Sequence, residues 1–553
     1  MPEEKISTKY EQSQKERTDY VNKILESSSL KKIVVAGPGT GKTFLFKEIL
    51  QNKKNTLTLT FVNSLVEDLS LELYGMSEVR TLHSYARSIL AKLSNSKINV
   101  FHKLSQIVEE DAKILINEEI KFDKLFHERD DENVHLTFYK KRRDYYNYYG
   151  YASIIFAVVK YFEKYKEKIP VYEQILIDEF QDFNLLEVSL IDLLSEKSSI
   201  LLAGDDDQAL YAFKSASTKY IREKNDSEKS EYEAFTLPYC SRCTNVVVAA
   251  TNDIISEAKK TNLLKGRIEK EYIYYDDEKK DKVCETYPMI TYAQIFDKQI
   301  PWFIEKKIKE IVCQERKNFS VLIISPFKQQ SHSIADNLKA KGLQNIDIVI
   351  KDEEDINILD GFKLLIENKN NNLGLRIVSK FILPPEEFIV LLKDTEIKSD
   401  KSILELLPKK YKDEIKKILK VLKYIKENKP INKDEFDSAI SSLDLNSYGI
   451  LKDFLLNQID TTKLRIGDPA VRKIPIKSTT IQSSKGLAAD YVFITHFDDR
   501  YFIKGSELAD QDVCNFLVAM TRTKNKLFLI SSIKEEPTFL KWLNIERYEV
   551  VIN

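Results

Sequence analysis

The sequence predicts an α/β protein in which parallel sheets are flanked by helices. Three segments carry that expectation: Ile33-Val34-Val35, Ile175-Leu176-Ile177 and Leu201-Leu202-Ala203. Each is a short apolar run that ends at a polar or glycine-rich turn, as a strand buried on both faces does.

The first run leads into Ala36-Gly37-Pro38-Gly39-Thr40-Gly41-Lys42-Thr43, then into Phe44, Leu45, Ile49 and Leu50 at helical spacing. Strand, glycine-rich turn and helix in that order make a phosphate loop. Glycines let backbone N–H groups wrap a triphosphate, and the helix N-terminus adds a favourable dipole. Residues 36–43 are therefore the candidate nucleotide cradle. Lys42 is placed to reach the β- and γ-phosphates, and the Thr43 hydroxyl to sit on Mg²⁺. Ala36 stands where the pattern has glycine, and a residue that small still permits the turn. ATP and Mg²⁺ are the expected cofactors.

The second run delivers Asp178 and Glu179 at its carboxyl end, the edge where ligands sit in parallel α/β sheets. Asp178 is placed to hold Mg²⁺, and Glu179 to orient or deprotonate the attacking water. The third run ends in Gly204-Asp205-Asp206-Asp207-Gln208, followed by Tyr211 and Phe213. Gln208 is placed to sense the γ-phosphate. The two aromatics face away from it and suit either a core or a base-stacking platform.

At 553 residues the chain is long enough for several domains. Lys and Arg number 85 against 86 Asp and Glu, a net charge of −1, so a polyanion must be met by a local groove. The five cysteines, Cys240, Cys243, Cys284, Cys313 and Cys514, are too few for a disulfide framework. Cys240 and Cys243 have the spacing of a metal knuckle without a second pair, which leaves reduced thiols as the expectation. The polar start Met1-Pro2-Glu3-Glu4-Lys5 does not read as a signal peptide. The apolar run 151–159, cut by Lys160, is too short to span a bilayer. A cytoplasmic protein without membrane contact is expected.

These segments together resemble the UvrD/Rep/PcrA-like helicases of superfamily 1A, and further segments follow in that family's order. Thr58-Leu59-Thr60-Phe61-Val62-Asn63-Ser64 looks like motif Ia, and Thr81-Leu82-His83-Ser84-Tyr85-Ala86 like the segment after it. Residues 178–182 are similar to motif II and 204–213 to motif III. Leu237-Pro238-Tyr239-Cys240-Ser241-Arg242 sits in the place of motif IV. Residues 478–487 look like motif V, and Val518-Ala519-Met520-Thr521-Arg522-Thr523 like motif VI.

The resemblance implies two RecA-like P-loop motor lobes, each interrupted by a short, mainly helical insertion, with ATP between the lobes. Arg242 and Arg522 would be arginine fingers on the γ-phosphate, an effect of roughly 10³–10⁵ in turnover. Gln208 would couple that phosphate to the DNA track. Phe61, Asn63, His83, Tyr211, Phe213 and Lys214 would line a single-strand groove, with Phe213 stacking on a base. Thr480 and Gln482 would hold the strand backbone on the other lobe, and Gly486 would join the nucleotide-binding set. The implied partner is single-stranded or tailed duplex DNA, travelled 3′ to 5′, with RNA as the other track.

Departures from the family pattern fall on the base and sugar. The motif IV tyrosine expected to stack on adenine is Ser241, with Tyr239 two residues earlier. Motif V has Gln482 where His is usual, and Ala488 where the family has a ribose-holding Glu. Gln12 and Gln14 are the candidates for the amino-terminal glutamine that reads adenine. Relaxed nucleotide preference is therefore expected.

The spacing assigns residues 1–92 and 165–245 to the first lobe, and 246–375 and 462–553 to the second. Helical insertions are placed at 93–164 and 376–461. The first carries Lys140-Lys141-Arg142-Arg143, then Tyr145, Tyr146, Tyr148, Tyr149 and Tyr151, a mix that suits strand binding or a solvated helix turning into a packed one. Both insertions are short beside those of the large family members. That leaves a second reading, a DNA-responsive ATPase switch within a larger complex, for example beside a separate nuclease in DNA repair or antiviral defence.

Overall fold

The computed structural model describes residues 2–61, 63–211, 215–314, 318–343, 345–350, 355–427, 474–532 and 535–552. The chain forms two compact units. The first comprises Met1–Tyr85, Tyr161–Asp352 and Arg472–Asn553; the second comprises Ala86–Lys160 and Glu353–Val471.

The first unit holds two sheets whose strand pairs are all parallel. One contains β1 (Lys31–Ala36), β2 (Thr56–Thr60), β3 (Glu78–Thr81), β4 (Gln174–Ile177), β5 (Ile200–Gly204) and β6 (Glu233–Leu237), in the order β3-β2-β4-β5-β1-β6. β2, β4 and β5 are buried at every position, which accounts for the apolar runs Ile175–Ile177 and Leu201–Ala203. Val35 pairs with Gly204 and Ile177 with Leu202, so the carboxyl ends of β1, β4 and β5 share one edge.

Next comes a short parallel pair, β7 (Tyr239–Cys240) and β8 (Ile273–Tyr274). The second sheet contains β9 (Ile290–Gln294), β10 (Val321–Ser325), β11 (Ile346–Val349), β12 (Ile476–Thr480), β13 (Ala489–Ile494), β14 (Thr523–Ser531) and β15 (Tyr548–Ile552). Its order is β11-β12-β10-β13-β14-β9-β15. One of its faces buries Phe303, Ile323, Tyr491 and Phe493, with Phe493 stacked on Phe528 at 4.4 Å.

Two helices of the first unit bear on the site. Helix α1 (Pro2–Glu26) buries Val21 and Ile24 against Leu45 and Phe46 of α2 (Lys42–Leu50). Among the described residues no helix is long and apolar enough to cross a membrane.

Helices dominate the described part of the second unit. At its centre the Asp111 carboxylate is fully buried between two arginines. Arg376 donates to Oδ1 at 3.0 and 2.8 Å, and Arg142 donates from Nε to Oδ2 at 2.9 Å. Tyr146 adds a hydroxyl at 2.5 Å, and Arg142 also donates to Thr395 at 2.9 Å. Burial pushes the Asp111 pKa upward, but the two guanidinium groups outweigh it and hold the carboxyl below its ordinary range. Arg142 and Tyr146 of the basic, tyrosine-rich segment therefore serve a core, while Lys140 and Lys141 stay exposed. Helices Ile358–Glu367 and Asn372–Ile382 both lie in this unit, the second tied to it through Arg376, so its second segment begins at 353 rather than at the expected 376.

Candidate nucleotide site and strand groove

The glycine-rich turn after β1 is forced by backbone geometry. Gly39 and Gly41 have φ of 73° and 97°, a region that L side chains rarely adopt. A Cβ on Gly39 would lie 2.4 Å from Arg242 Cβ, so the close approach of Arg242 to the loop also needs glycine there. Ser241 N donates to Gly39 O at 3.0 Å, and Tyr272 donates its hydroxyl to Pro38 O at 2.9 Å. Gly41 begins α2 without a side-chain cap, which leaves N-terminal N–H groups for an anion.

At the end of β4, Asp178 and Glu179 are both buried, and Glu179 sits in the left-handed region at φ 57°. Lys42 Nζ lies 3.4 Å from Glu179 Oε1, and Lys485 Nζ lies 3.4 Å from Oε2. Gln181 donates to Glu179 Oε2 at 2.7 Å and accepts from Asp205 N at 3.0 Å. Lys485 is itself buried, donating to Asp182 and to Gln208 O at 2.9 Å. Burial alone would raise the Glu179 pKa; Lys42 and Lys485 reverse that and hold it well below the ordinary range. Asp178, by contrast, is pushed up to about 6 by burial and by the neighbouring Glu179 charge.

Asp178 Oδ1 is a buried carboxylate oxygen without a hydrogen-bond partner among the described residues. That orphaned hard donor fits Mg²⁺, with the Thr43 hydroxyl in the first turn of α2 as the second protein donor.

Beyond β5, Gln208 donates to Asp205 Oδ2 at 2.7 Å and accepts from Arg522 Nη2 at 3.1 Å. Arg522 is 3% exposed, and its Nε donates to Val518 O at 2.9 Å. Burial and the nearby Arg242 charge push its pKa down to about 10, which leaves it protonated at neutral pH. The carboxylates of Asp205, Asp206 and Asp207 lie close enough together to suggest a cation site. The Lys270 ammonium occupies that place, at 2.9, 2.8 and 2.8 Å from the three, and Arg267 pairs with Asp207 at 2.8 Å.

The expected strand groove is only partly exposed. Phe61 is half-buried, with Phe183 at 5.7 Å and Tyr211 at 4.9 Å between ring centres. Tyr211, expected in the groove, is instead buried with Leu210 and Val518, where its apolar ring gains more than in water. Thr480 is buried as well, its hydroxyl accepting from Ser483 N at 3.3 Å. His83 lies partly exposed with Nε2 3.9 Å from Glu187 Oε1. Gln482 is half-buried at the start of the turn Gln482–Ser484, and Gly486 has φ 86°. Phe213, Lys214 and the Asn63 side chain lie outside the described residues.

Sequence reasoning overlooked Asp182, Gln181, Lys485, Lys270 and Tyr272. Lys485 stood inside the quoted Ser484-Lys485-Gly486, but nothing local says that it meets two carboxylates on another sheet. The candidates for reading the base are otherwise engaged or exposed. Tyr239 donates its hydroxyl to Glu16, Gln12 donates to Glu16 at 3.0 Å, and Gln14 is exposed. Cys240 and Cys243 are free thiols, buried under the loop, with the Tyr272 hydroxyl 3.1 Å from Cys240 Sγ.

Residues 127–229 match the family model of the UvrD/REP helicase N-terminal domain. The chain is 24% identical over 300 residues to the ATP-dependent DNA helicase PcrA of Staphylococcus aureus, covering 44% of this chain and 40% of that protein. It is 23% identical over 275 residues to the PcrA of Staphylococcus epidermidis, covering 40% and 37%. The matched region thus spans about two fifths of the length of these relatives.

Proposed function

We propose that this UvrD/Rep/PcrA-like chain is an ATP-dependent DNA helicase or translocase that moves 3′ to 5′ along single-stranded DNA. The observation that carries the reading is the set of contacts joining three strand ends to the second sheet's side: Lys42 and Lys485 on Glu179, and Arg522 on Gln208. ATP hydrolysis needs those charges together and positioned, since phosphoryl transfer is catalysed mainly by placement and electrostatics.

In this reading the loop amides and Lys42 hold the β- and γ-phosphates, and Arg242 and Arg522 meet the charge that develops on transfer. Mg²⁺ would neutralise phosphate charge from Asp178 and Thr43. Glu179, which Lys485 faces at 3.4 Å, accepts a hydrogen bond from the attacking water and orients it. Gln208 bonds to Arg522 and starts the segment that leads to Tyr211 and Phe61, which gives the γ-phosphate a short route to a bound strand.

The test is unwinding of duplexes with a 3′ or a 5′ single-stranded tail, with ATP and Mg²⁺. Unwinding from the 3′ tail alone supports the reading. Strand-stimulated hydrolysis without unwinding or tracking would favour the switch, and a search for a nuclease partner would follow.

A further inference from the structure

An open cavity of about 370 Å³ adjoins the phosphate loop, lined by Arg17, Ser241, Tyr275, Asp277, Lys279, Lys280 and Val283. That volume lies at the lower end of the range for small-ligand sites, about 300–1,000 Å³. Ser241 ties the cavity to the loop, reaching Gly39 O from N at 3.0 Å and from Oγ at 3.3 Å. A serine offers no flat surface to a base. The neighbouring strand does. β7 and β8 pair Tyr239 with Ile273 and Cys240 with Tyr274, and Tyr275 N donates to Cys240 O at 3.0 Å. The next residues along this ladder are Ser241 and Tyr275, and both line the cavity.

Arg17 comes to the same place from α1. Its guanidinium carbon lies 4.9 Å from the Tyr275 ring centre and 5.7 Å from that of Phe44. A Cβ on Gly41 would be 2.8 Å from Arg17 Nη2, so the guanidinium sits over the residue that precedes Lys42. Among the described residues Arg17 makes no ion pair, and ring contacts of this kind are weak enough to open.

We propose that the base of the triphosphate lies on Tyr275, with Arg17 opening to admit it and then covering its other face. This rests on the ATPase reading and names the residues that hold the nucleoside end of that substrate, on a different strand from the position where the resemblance expects an aromatic. The Tyr275 ring recognises a flat π-surface and does not itself read the donor and acceptor pattern of a base edge. ATP and GTP are therefore accepted alike, and both ahead of CTP and UTP, whose rings are smaller.

The experiment uses the full chain, steady-state hydrolysis of the four nucleoside triphosphates, and competition by inorganic tripolyphosphate. Tyr275→Ala raises KM for ATP and GTP about tenfold, the size of one lost stack, with a smaller change in kcat. Tripolyphosphate, which has no base, inhibits wild type and Tyr275→Ala equally. Tyr275→Phe keeps the wild-type KM, and Arg17→Ala raises it. An unchanged KM in Tyr275→Ala with hydrolysis intact overturns the pocket alone. Equal loss of tripolyphosphate and ATP binding overturns it too, because the damage then lies in the loop. Wild-type protein that hydrolyses no triphosphate overturns the ATPase reading and the pocket with it.

Discussion

Arg522 donates from Nη2 to the side-chain carbonyl of Gln208 at 3.1 Å, across 314 residues of sequence. Gln208 passes the connection to Asp205 at 2.7 Å, and Asp205 accepts from Lys270 at 2.9 Å. One polar line therefore joins the arginine just before β14, the turn after β5 and the segment before β8.

Arg522→Ala is expected to lower ATP turnover by roughly 10³–10⁵, the usual worth of an arginine finger, while single-strand affinity stays close to wild type. The motive is its burial against Gln208 and Val518 O, away from solvent. Turnover and anisotropy of a labelled oligonucleotide measure the two effects. Lost strand affinity with retained hydrolysis would move Arg522 into the groove.

Lys42→Ala should abolish hydrolysis by removing the phosphate counter-charge. Glu179→Gln should abolish it too yet keep ATP binding, because Asp178 and Thr43 remain. Chelating Mg²⁺ should stop turnover in wild type. Near wild-type hydrolysis by Glu179→Gln would falsify the assignment of the water-orienting carboxylate.

Lys270→Ala removes the ammonium shared by three buried carboxylates, leaving Asp206 to Arg222, Asp207 to Arg267 and, among the described residues, Asp205 without a cation. Removing one partner of a buried ionic cluster costs about 3–5 kcal/mol, so a large fall in unfolding free energy is expected. The deficit should narrow as the medium is acidified, because Asp207, whose pKa burial already raises, takes up a proton more readily once the Lys270 charge is gone. Urea unfolding at two pH values checks both the size and the sign. A loss that does not depend on pH would mean that the cluster is not what Lys270 stabilises.

Phe213→Ala is expected to remove most of the stimulation of hydrolysis by oligo-dT and to weaken strand binding by about 1–3 kcal/mol, one base stack. Binding should also fall steeply with salt, since a chain with net charge −1 must neutralise phosphates locally. Turnover ratios with and without oligo-dT at two salt concentrations test this. Equal stimulation in both proteins would remove Phe213 from the coupling.

What could be read from the chain was local. Strands β1, β4 and β5 each contain an unbroken apolar run, and the candidate residues Lys42, Asp178, Glu179 and Gln208 follow within a few positions, so they could be singled out without a fold. What could not be read was set by distant partners. Lys485 meets Asp182 across 303 residues and Lys270 meets Asp206 across 64, and no periodicity encodes either pairing. Tyr275 was invisible for a related reason: it reaches Ser241 through a two-residue strand too short to leave a pattern. Arg142 looked like part of a basic strand-binding face until Asp111, 31 residues earlier, drew it into a core. Tyr211 was likewise assigned to a groove from its motif, whereas its packing on Phe61 and Val518 buries it.

In the proposed motor, ATP hydrolysis at this site is driven by a bound single strand. The most direct measurement is steady-state ATP turnover by the full chain, with Mg²⁺, at increasing oligo-dT concentration. A saturable rise in turnover that Arg522→Ala abolishes is the expected result. Turnover that is the same with and without the strand would contradict it.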